Sequence, residues 1–193
     1  LQQEPYADII SVSKNDGGMK SCQCETCKAM DDREGSKMAS LLYLVNAVAE
    51  AIEKEHPQVL ISTLAYLETV DVPKTMRPRH NVGIRLCNDM VGSWTYPFTQ
   101  ADQLTFGKLV KQWAAVHDRL YIWDYTVNFS HYLAPMPNFE LVAHDIKFLI
   151  DHNTEGIMTQ GAYQSFGAER DWMRSWVFAK LMWDPSLDVF DLM

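Results

Sequence analysis

The chain contains 193 residues, of which 47% are hydrophobic and 22% are charged, ordinary proportions that exclude a coiled coil or a collagen-like rod. Its formal net charge of −8 argues against nucleic acid as a partner, because a phosphate backbone attracts positive charge. No apolar run approaches the roughly 20 residues of a transmembrane helix, so we expect no membrane span. The first residues also lack the basic and apolar regions of a signal peptide.

Strand-like and helix-like segments alternate along the chain. Apolar stretches rich in β-branched residues predict strands over 6–13, 58–66, 81–87, 118–124 and 156–160. Helical spacing of apolar residues predicts helices over 36–55, 100–116, 138–151 and 168–182, with a short helix after Pro185. We expect a cysteine-rich loop over 19–35. The alternation predicts an α/β fold of parallel βα units in a single domain spanning residues 1–193.

Three of the four cysteines, Cys22, Cys24 and Cys27, lie close together, and Cys87 follows 60 residues after Cys27. Four thiolates can hold a tetrahedral zinc ion, and a closed site of that kind would be structural and not catalytic. A disulfide from Cys22 or Cys24 to Cys87, or simple unpaired thiols, are the alternative interpretations. The spacing alone leaves all three open.

Polar and aromatic side chains collect where the predicted strands end. In a parallel barrel these ends open on one face, where barrel enzymes place their active sites. Asp16 before two glycines could instead stabilise a turn, Glu68 could be a solvated charge, and Arg85 could pair with Asp16 or Asp124. The candidate catalytic carboxylates are Asp16 and Asp124, and the candidate substrate-binding residues are Asn15, Tyr66, Glu68, Arg85, Trp123, Tyr125, Asn128, Gln160 and Tyr163.

This mixture of groups suits a saccharide. Carboxylates can act as acid and base on a glycosidic bond, amides and hydroxyls bind ring hydroxyls, and indole faces stack on C–H surfaces. We therefore expect a glycoside hydrolase acting on an oligosaccharide or polysaccharide with no catalytic cofactor. The alternative is a non-catalytic saccharide-binding barrel, or an inactive fragment of a larger glycosidase.

Several motifs together resemble an uncharacterised bacterial family that is glycoside-hydrolase-like. They are 11–18 (SVSKNDGG), the cysteines of 22–27, 63–66 (TLAY), 121–125 (YIWDY) and 179–185 (AKLMWDP). The resemblance implies a domain of unknown function with a TIM-type barrel, similar to α-glucuronidase- and hexosaminidase-type enzymes and exported to the periplasm or exterior. Family members often carry Glu where this chain has Thr159, and a further Cys and His soon after the position of Cys87.

The resemblance also implies that the chain supplies strands four to eight of the barrel. Asp16 and Asp124 would then form the carboxylate pair, with Tyr66, Arg85 and Tyr125 as substrate contacts. A complete (β/α)8 barrel typically needs about 250 residues. Five strands leave two open edges, which proteins seldom tolerate, so we expect an upstream half-barrel segment or self-association to complete the sheet.

Overall fold

The computed structural model describes residues 6–16, 21–88, 96–99 and 106–193. Its centre is a sheet of five parallel strands that lie side by side in their order along the chain. The strands alternate with helices and the sheet curls into a half-barrel. The predicted α/β fold, part of a TIM-type barrel, is therefore confirmed.

Every predicted strand is present, with slightly different limits. The strands are β1 (Ile9–Ser11), β2 (Leu60–Ala65), β3 (Val82–Cys87), β4 (Leu120–Tyr125) and β5 (Thr154–Gln160). The helices are α1 (Glu25–Glu34), α2 (Met38–Glu53), α3 (Phe106–Ala114), α4 (Phe139–Ile150), α5 (Asp171–Trp183) and α6 (Val189–Leu192), with a 3-10 turn at Leu67–Thr69. The start of the helix predicted over 100–116 lies outside the described residues.

Side chains alternate between the two faces of each strand, and β4 shows how this divides the sheet. Ile122 and Asp124 are buried, whereas Trp123 and Tyr125 are only half-buried. Ile122 belongs to an apolar core between the sheet and its helices, to which α2 contributes Leu42 and α3 contributes Trp113. The half-buried set therefore lines the concave side of the half-barrel, because successive side chains of a strand point to opposite faces.

A second apolar cluster joins the last three helices. It contains Phe139 and Ile146 from α4, Phe178 and Leu181 from α5, and Val189 from α6. These helices follow β4 and β5, so the second cluster supports the end of the sheet where the chain's later strands lie. Among the described strands, β1 and β5 each pair with a single neighbour, and both edges of the half-barrel are open.

The segment 19–35, expected to be a loop, contains helix α1. Its one buried residue is Glu34, so it lacks the apolar stripe by which periodicity identifies a helix. The Cys24 thiol accepts the backbone N–H of Cys27 at the start of the helix. Gly35 ends it at φ +66°, a left-handed conformation that glycine adopts without strain. A glycine directly after a charged segment is the sequence signal that could have indicated the end of α1.

Glu34 fastens α1 to the loop before β3. Its carboxylate accepts the backbone N–H and the hydroxyl of Thr75, each at 2.7 Å, and the backbone N–H of Met76 at 3.0 Å. The Thr75 hydroxyl and these backbone groups lower the pKa of Glu34 to about 2. A polar helix with almost no buried apolar surface is thus positioned mainly by hydrogen bonds to an ionised carboxylate.

Candidate functional site

The carboxyl ends of the strands open onto a groove of about 560 Å³ on the concave side of the sheet. Parallel strands place their carboxyl ends at one edge, so residues far apart in sequence meet there. The groove brings together many of the residues that the sequence analysis named, and adds others. It is lined by Lys14, Asp16, Leu64, Tyr66, Cys87, Trp123, Tyr125, Phe129, Gln160 and Tyr163.

One wall of the groove is aromatic with polar edges. The Trp123 indole N–H donates to the Gln160 side-chain oxygen at 2.8 Å, which fixes the orientation of both groups. The Phe129 ring centroid lies 5.4 Å from that of Tyr125 and 6.1 Å from that of Tyr163. Apolar ring faces beside amide and hydroxyl groups suit a ligand that carries both C–H surfaces and hydroxyls.

The opposite wall carries a carboxylate and a supporting ion pair. The Tyr66 hydroxyl donates to Asp16 Oδ1 at 3.3 Å. Lys14 Nζ lies 2.7 Å from Glu68 Oε1 and 5.8 Å from the centre of the Tyr66 ring. Burial acts to raise the pKa of Glu68, but hydrogen bonding and charge, chiefly from Lys14, outweigh it and lower that pKa. Glu68 is therefore an ion-paired support for the groove and not a solvated surface charge.

Asp124 does not line the groove. It alternates with Trp123 and Tyr125 along β4, so its carboxyl group points to the helix side of the sheet. Asn88 Nδ2 donates to Asp124 Oδ1 at 2.7 Å. Burial raises the pKa of Asp124 to about 6, although the Asn88 amide and the Tyr125 backbone N–H favour the charged form. The structure thus places Asp16 in the groove and Asp124 behind the sheet.

The remaining predicted residues have varied positions. Arg85 lies on the concave face of β3, in register with Leu64 and Tyr121 of the adjacent strands, and the described residues show no ion pair for it. The Asn128 side-chain oxygen accepts the backbone N–H groups of Ser130 and His131, at 3.0 and 3.1 Å, so Asn128 shapes its own loop. Asn15 lines a second cavity beside the groove.

Sequence reasoning missed Lys14 and Phe129 in the groove, and a second buried carboxyl group, Asp145. Burial raises the pKa of Asp145 to about 6, and the negative charge of Asp124 contributes in the same direction. Its Oδ1 accepts the backbone N–H of Phe98 at 2.9 Å. The sequence signal that could have identified Asp145 is an acidic residue among the apolar residues of the helix predicted over 138–151.

The thiols of Cys22, Cys24 and Cys27, here called the thiol cluster, lie within 4.8 Å of one another and could hold a metal ion. Cys22 and Cys24 are exposed and Cys27 is half-buried. The Cys27 backbone N–H lowers the pKa of Cys24, and the Cys24 thiol in turn raises that of Cys27 to about 12.

Cys87 lies outside the thiol cluster, so the four-thiolate site, one of the three interpretations of the cysteine spacing, is not found among the described residues. Its side chain lines the groove, because Cys87 is on the concave face at the end of β3. The structure also contains no disulfide between the described cysteines. A metal ion at the thiol cluster would therefore take three thiolates from the described residues.

A family model described as "Domain of unknown function (DUF4838)" matches residues 1–193. No curated protein and no solved structure matches the chain. Within the described part of the chain, no helix combines the length and apolar character needed to cross a bilayer.

Proposed function

The chain belongs to the DUF4838 family, and we propose that its groove binds a saccharide as part of a glycoside hydrolase of the barrel type. The observation that carries this proposal is the groove itself, where Trp123, Tyr125, Phe129 and Tyr163 surround polar groups at the carboxyl ends of parallel strands. Barrel enzymes place their active sites at these ends.

The aromatic wall would bind the sugar rings. Tyr163 is 66% exposed, so its ring is available for stacking, and the indole of Trp123 is held by its hydrogen bond to Gln160. Rings that are already fixed bind with less loss of conformational entropy than mobile ones. The Gln160 amide and the Tyr66 hydroxyl lie where they could contact sugar hydroxyls.

Asp16 is the carboxylate best placed for chemistry. It is exposed at the groove, and it is the one carboxylate among the described residues that line it. Hydrolysis by two carboxylates needs a second, about 5 Å away for retention or about 6.5–9.5 Å away for inversion. We propose that strands completing the barrel supply the second carboxylate, and that Asp124 supports Tyr125 from behind the sheet.

Turnover of a panel of nitrophenyl glycosides and oligosaccharides by the full-length protein tests this proposal. Asp16→Asn should reduce kcat by at least about 100-fold, the usual effect of losing a general acid or base. Trp123→Ala should mainly raise KM, and Asp8→Asn, at an exposed position before β1, is the matched control. Full activity of Asp16→Asn would refute the assignment. An equally large loss in Asp124→Asn would place Asp124 in the catalytic pair.

A non-catalytic saccharide-binding groove is the second candidate function. The specific observation in its favour is that Asp16 has no second carboxylate beside it among the described residues that line the groove. Calorimetry with the same oligosaccharides separates the two functions. Binding that depends on Trp123, is unchanged in Asp16→Asn and is accompanied by no hydrolysis would favour this candidate.

We propose that further βα units, or a second copy of the chain, pair with the open edges of β1 and β5. Unpaired edges of this kind template association with other strands. Light scattering tests both proposals. If a second copy completes the sheet, the isolated chain should be a dimer. If an upstream half-barrel completes it, the full-length protein should be a monomer. Export from the cell stays a prediction, tested by fractionating cells that produce the full-length protein.

For the thiol cluster we propose zinc as the ion, in a structural role. Thiolates bind zinc at about 2.3 Å, and three sulfurs already within 4.8 Å of one another need little movement to reach that geometry. Elemental analysis of protein purified without added zinc should give one zinc per chain. Cys24→Ser should abolish binding, and Cys87→Ser should retain it because Cys87 is outside the cluster. Zinc loss in Cys87→Ser would contradict this three-thiolate site.

A further inference from the structure

The thiol cluster and the groove are separated by one cavity. Cys22 and Cys27 line a space of about 470 Å³ together with Lys14 and Asp16. Lys14 and Asp16 also line the groove. The two residues therefore form a shared wall, with the thiols on one side and the candidate saccharide site on the other.

A series of contacts crosses this wall. Ser21, the residue before Cys22, donates its hydroxyl to Glu68 Oε1 at 3.2 Å. The same oxygen lies 2.7 Å from Lys14 Nζ. The side chains of Lys14 and Glu68 are only 14% and 8% exposed, so their pairing depends on good geometry more than a surface ion pair would. The position of Ser21 therefore bears directly on the position of Lys14.

The segment that carries Ser21 has little structure of its own to hold it. Residues 21–23 form neither helix nor strand, and α1 begins only at Glu25. Gln23 makes a local contact, donating its side-chain amide to the Ser21 carbonyl at 3.0 Å. An ion bound by Cys22, Cys24 and Cys27 would tie this segment to the first turn of α1. Metal binding of this kind restricts the chain that supplies the ligands.

We propose that a metal ion at the thiol cluster holds Ser21 against Glu68 and thereby fixes Lys14 beside the groove. Lys14 is then a positioning residue for the wall that carries Asp16 and Tyr66, and the metal acts on the groove without touching its ligand. The inference rests on the proposed zinc site and saccharide groove, and it assigns the cysteines a role in the function of the groove.

The accessibility of Lys14 measures this coupling directly. The full-length protein is acylated with an amine-reactive ester, after treatment with zinc chloride or with chelator, and the modification of each lysine is quantified by peptide mass spectrometry. Zinc should slow acylation of Lys14 by about threefold or more, the effect of one hydrogen bond of modest strength. Exposed Lys54, at the end of α2, is the internal reference and should not change.

Ser21→Ala separates coupling from metal binding. It keeps the three thiols, so it should bind zinc normally, but zinc should no longer slow the acylation of Lys14. Cys24→Ser, checked for folding by circular dichroism, should lose both effects. Unchanged Lys14 acylation on zinc addition, an undiminished zinc effect in Ser21→Ala, or no zinc binding at all would each overturn the proposal.

Saccharide binding is measured in parallel, so that failure of the groove function is distinguished from failure of the coupling. Zinc protection of Lys14 without binding of any oligosaccharide in the panel would refute the saccharide function and leave the positioning role supported. Saccharide binding that is equal with zinc and with chelator, together with unchanged Lys14 acylation, would refute the positioning role and leave the groove function supported.

Discussion

Asp124 should make the fold less stable as pH rises, and Asp124→Asn should remove that effect. The residue Asp124 is 8% exposed, and its carboxylate accepts a hydrogen bond from the Asn88 side-chain amide at 2.7 Å. Burial outweighs the hydrogen bonds and raises its pKa from 3.8 to about 6. An asparagine side chain has nearly the same shape, and its oxygen can still accept the hydrogen bond from Asn88, but it never becomes charged.

The direction and size of this pH effect follow from the linkage between folding and the ionisation of Asp124. Because the folded pKa lies above the unfolded value, the neutral carboxyl group favours the fold fully below about pH 4. That advantage is lost as pH rises to about 6, when the unfolded chain has already ionised. A shift of about two units at about 1.4 kcal/mol each gives about 3 kcal/mol over this interval. Asp124→Asn should therefore be about 3 kcal/mol more stable than the natural chain at pH 7.5, and about equal to it at pH 4.

Urea unfolding followed by circular dichroism, at pH values from 4 to 8, measures the difference between the two chains. Taking the difference cancels the titration of most other acids, and Asp8→Asn controls for the loss of one negative charge at the surface. The negative charge of Asp124 helps to raise the pKa of Asp145, so that pKa should be lower in Asp124→Asn. This change should add to the stability gained by the variant at neutral pH. Equal stability at every pH, or destabilisation that is constant with pH, would refute this account of the buried carboxyl group.

Three further changes test how the fold is held together. Glu34→Gln should lower the melting temperature at pH 7. In the natural chain, the contribution of Glu34 to stability should disappear as pH falls from about 4.5 towards 2, and thermal melts across that range measure it. Gly107→Ala should cost about 1–3 kcal/mol in urea unfolding, because an added Cβ would collide with a backbone carbonyl, whereas Gly161→Ala has ordinary contact distances and should be nearly neutral. Trp113→Phe should cost about 1–3 kcal/mol by the same assay, because the buried indole N–H donates to the Val70 carbonyl at 2.8 Å and its loss leaves that oxygen unpaired.

Much of the candidate site was accessible from the sequence because parallel strands put their carboxyl ends together. Once alternating strands and helices were identified, Asp16, Tyr66 and Gln160 had to lie near one edge, although 50 or more residues separate each from the next. Phe129 and Lys14 were missed, because a residue in a loop or between strand and turn gives no periodic signal of its direction.

The sequence by itself determined the order and type of the strands, since apolar stretches alternating with amphipathic helices leave parallel βα units as the way to bury both faces of a sheet. It did not determine the environment of Asp124, because burial and pKa depend on groups brought from distant segments, such as Asn88 and Asp145. Only the tertiary structure decided that Cys87 lies in the groove and apart from the other thiols. The reason is that β3 directs Cys87 to the concave face, whereas the three clustered thiols sit at the start of α1.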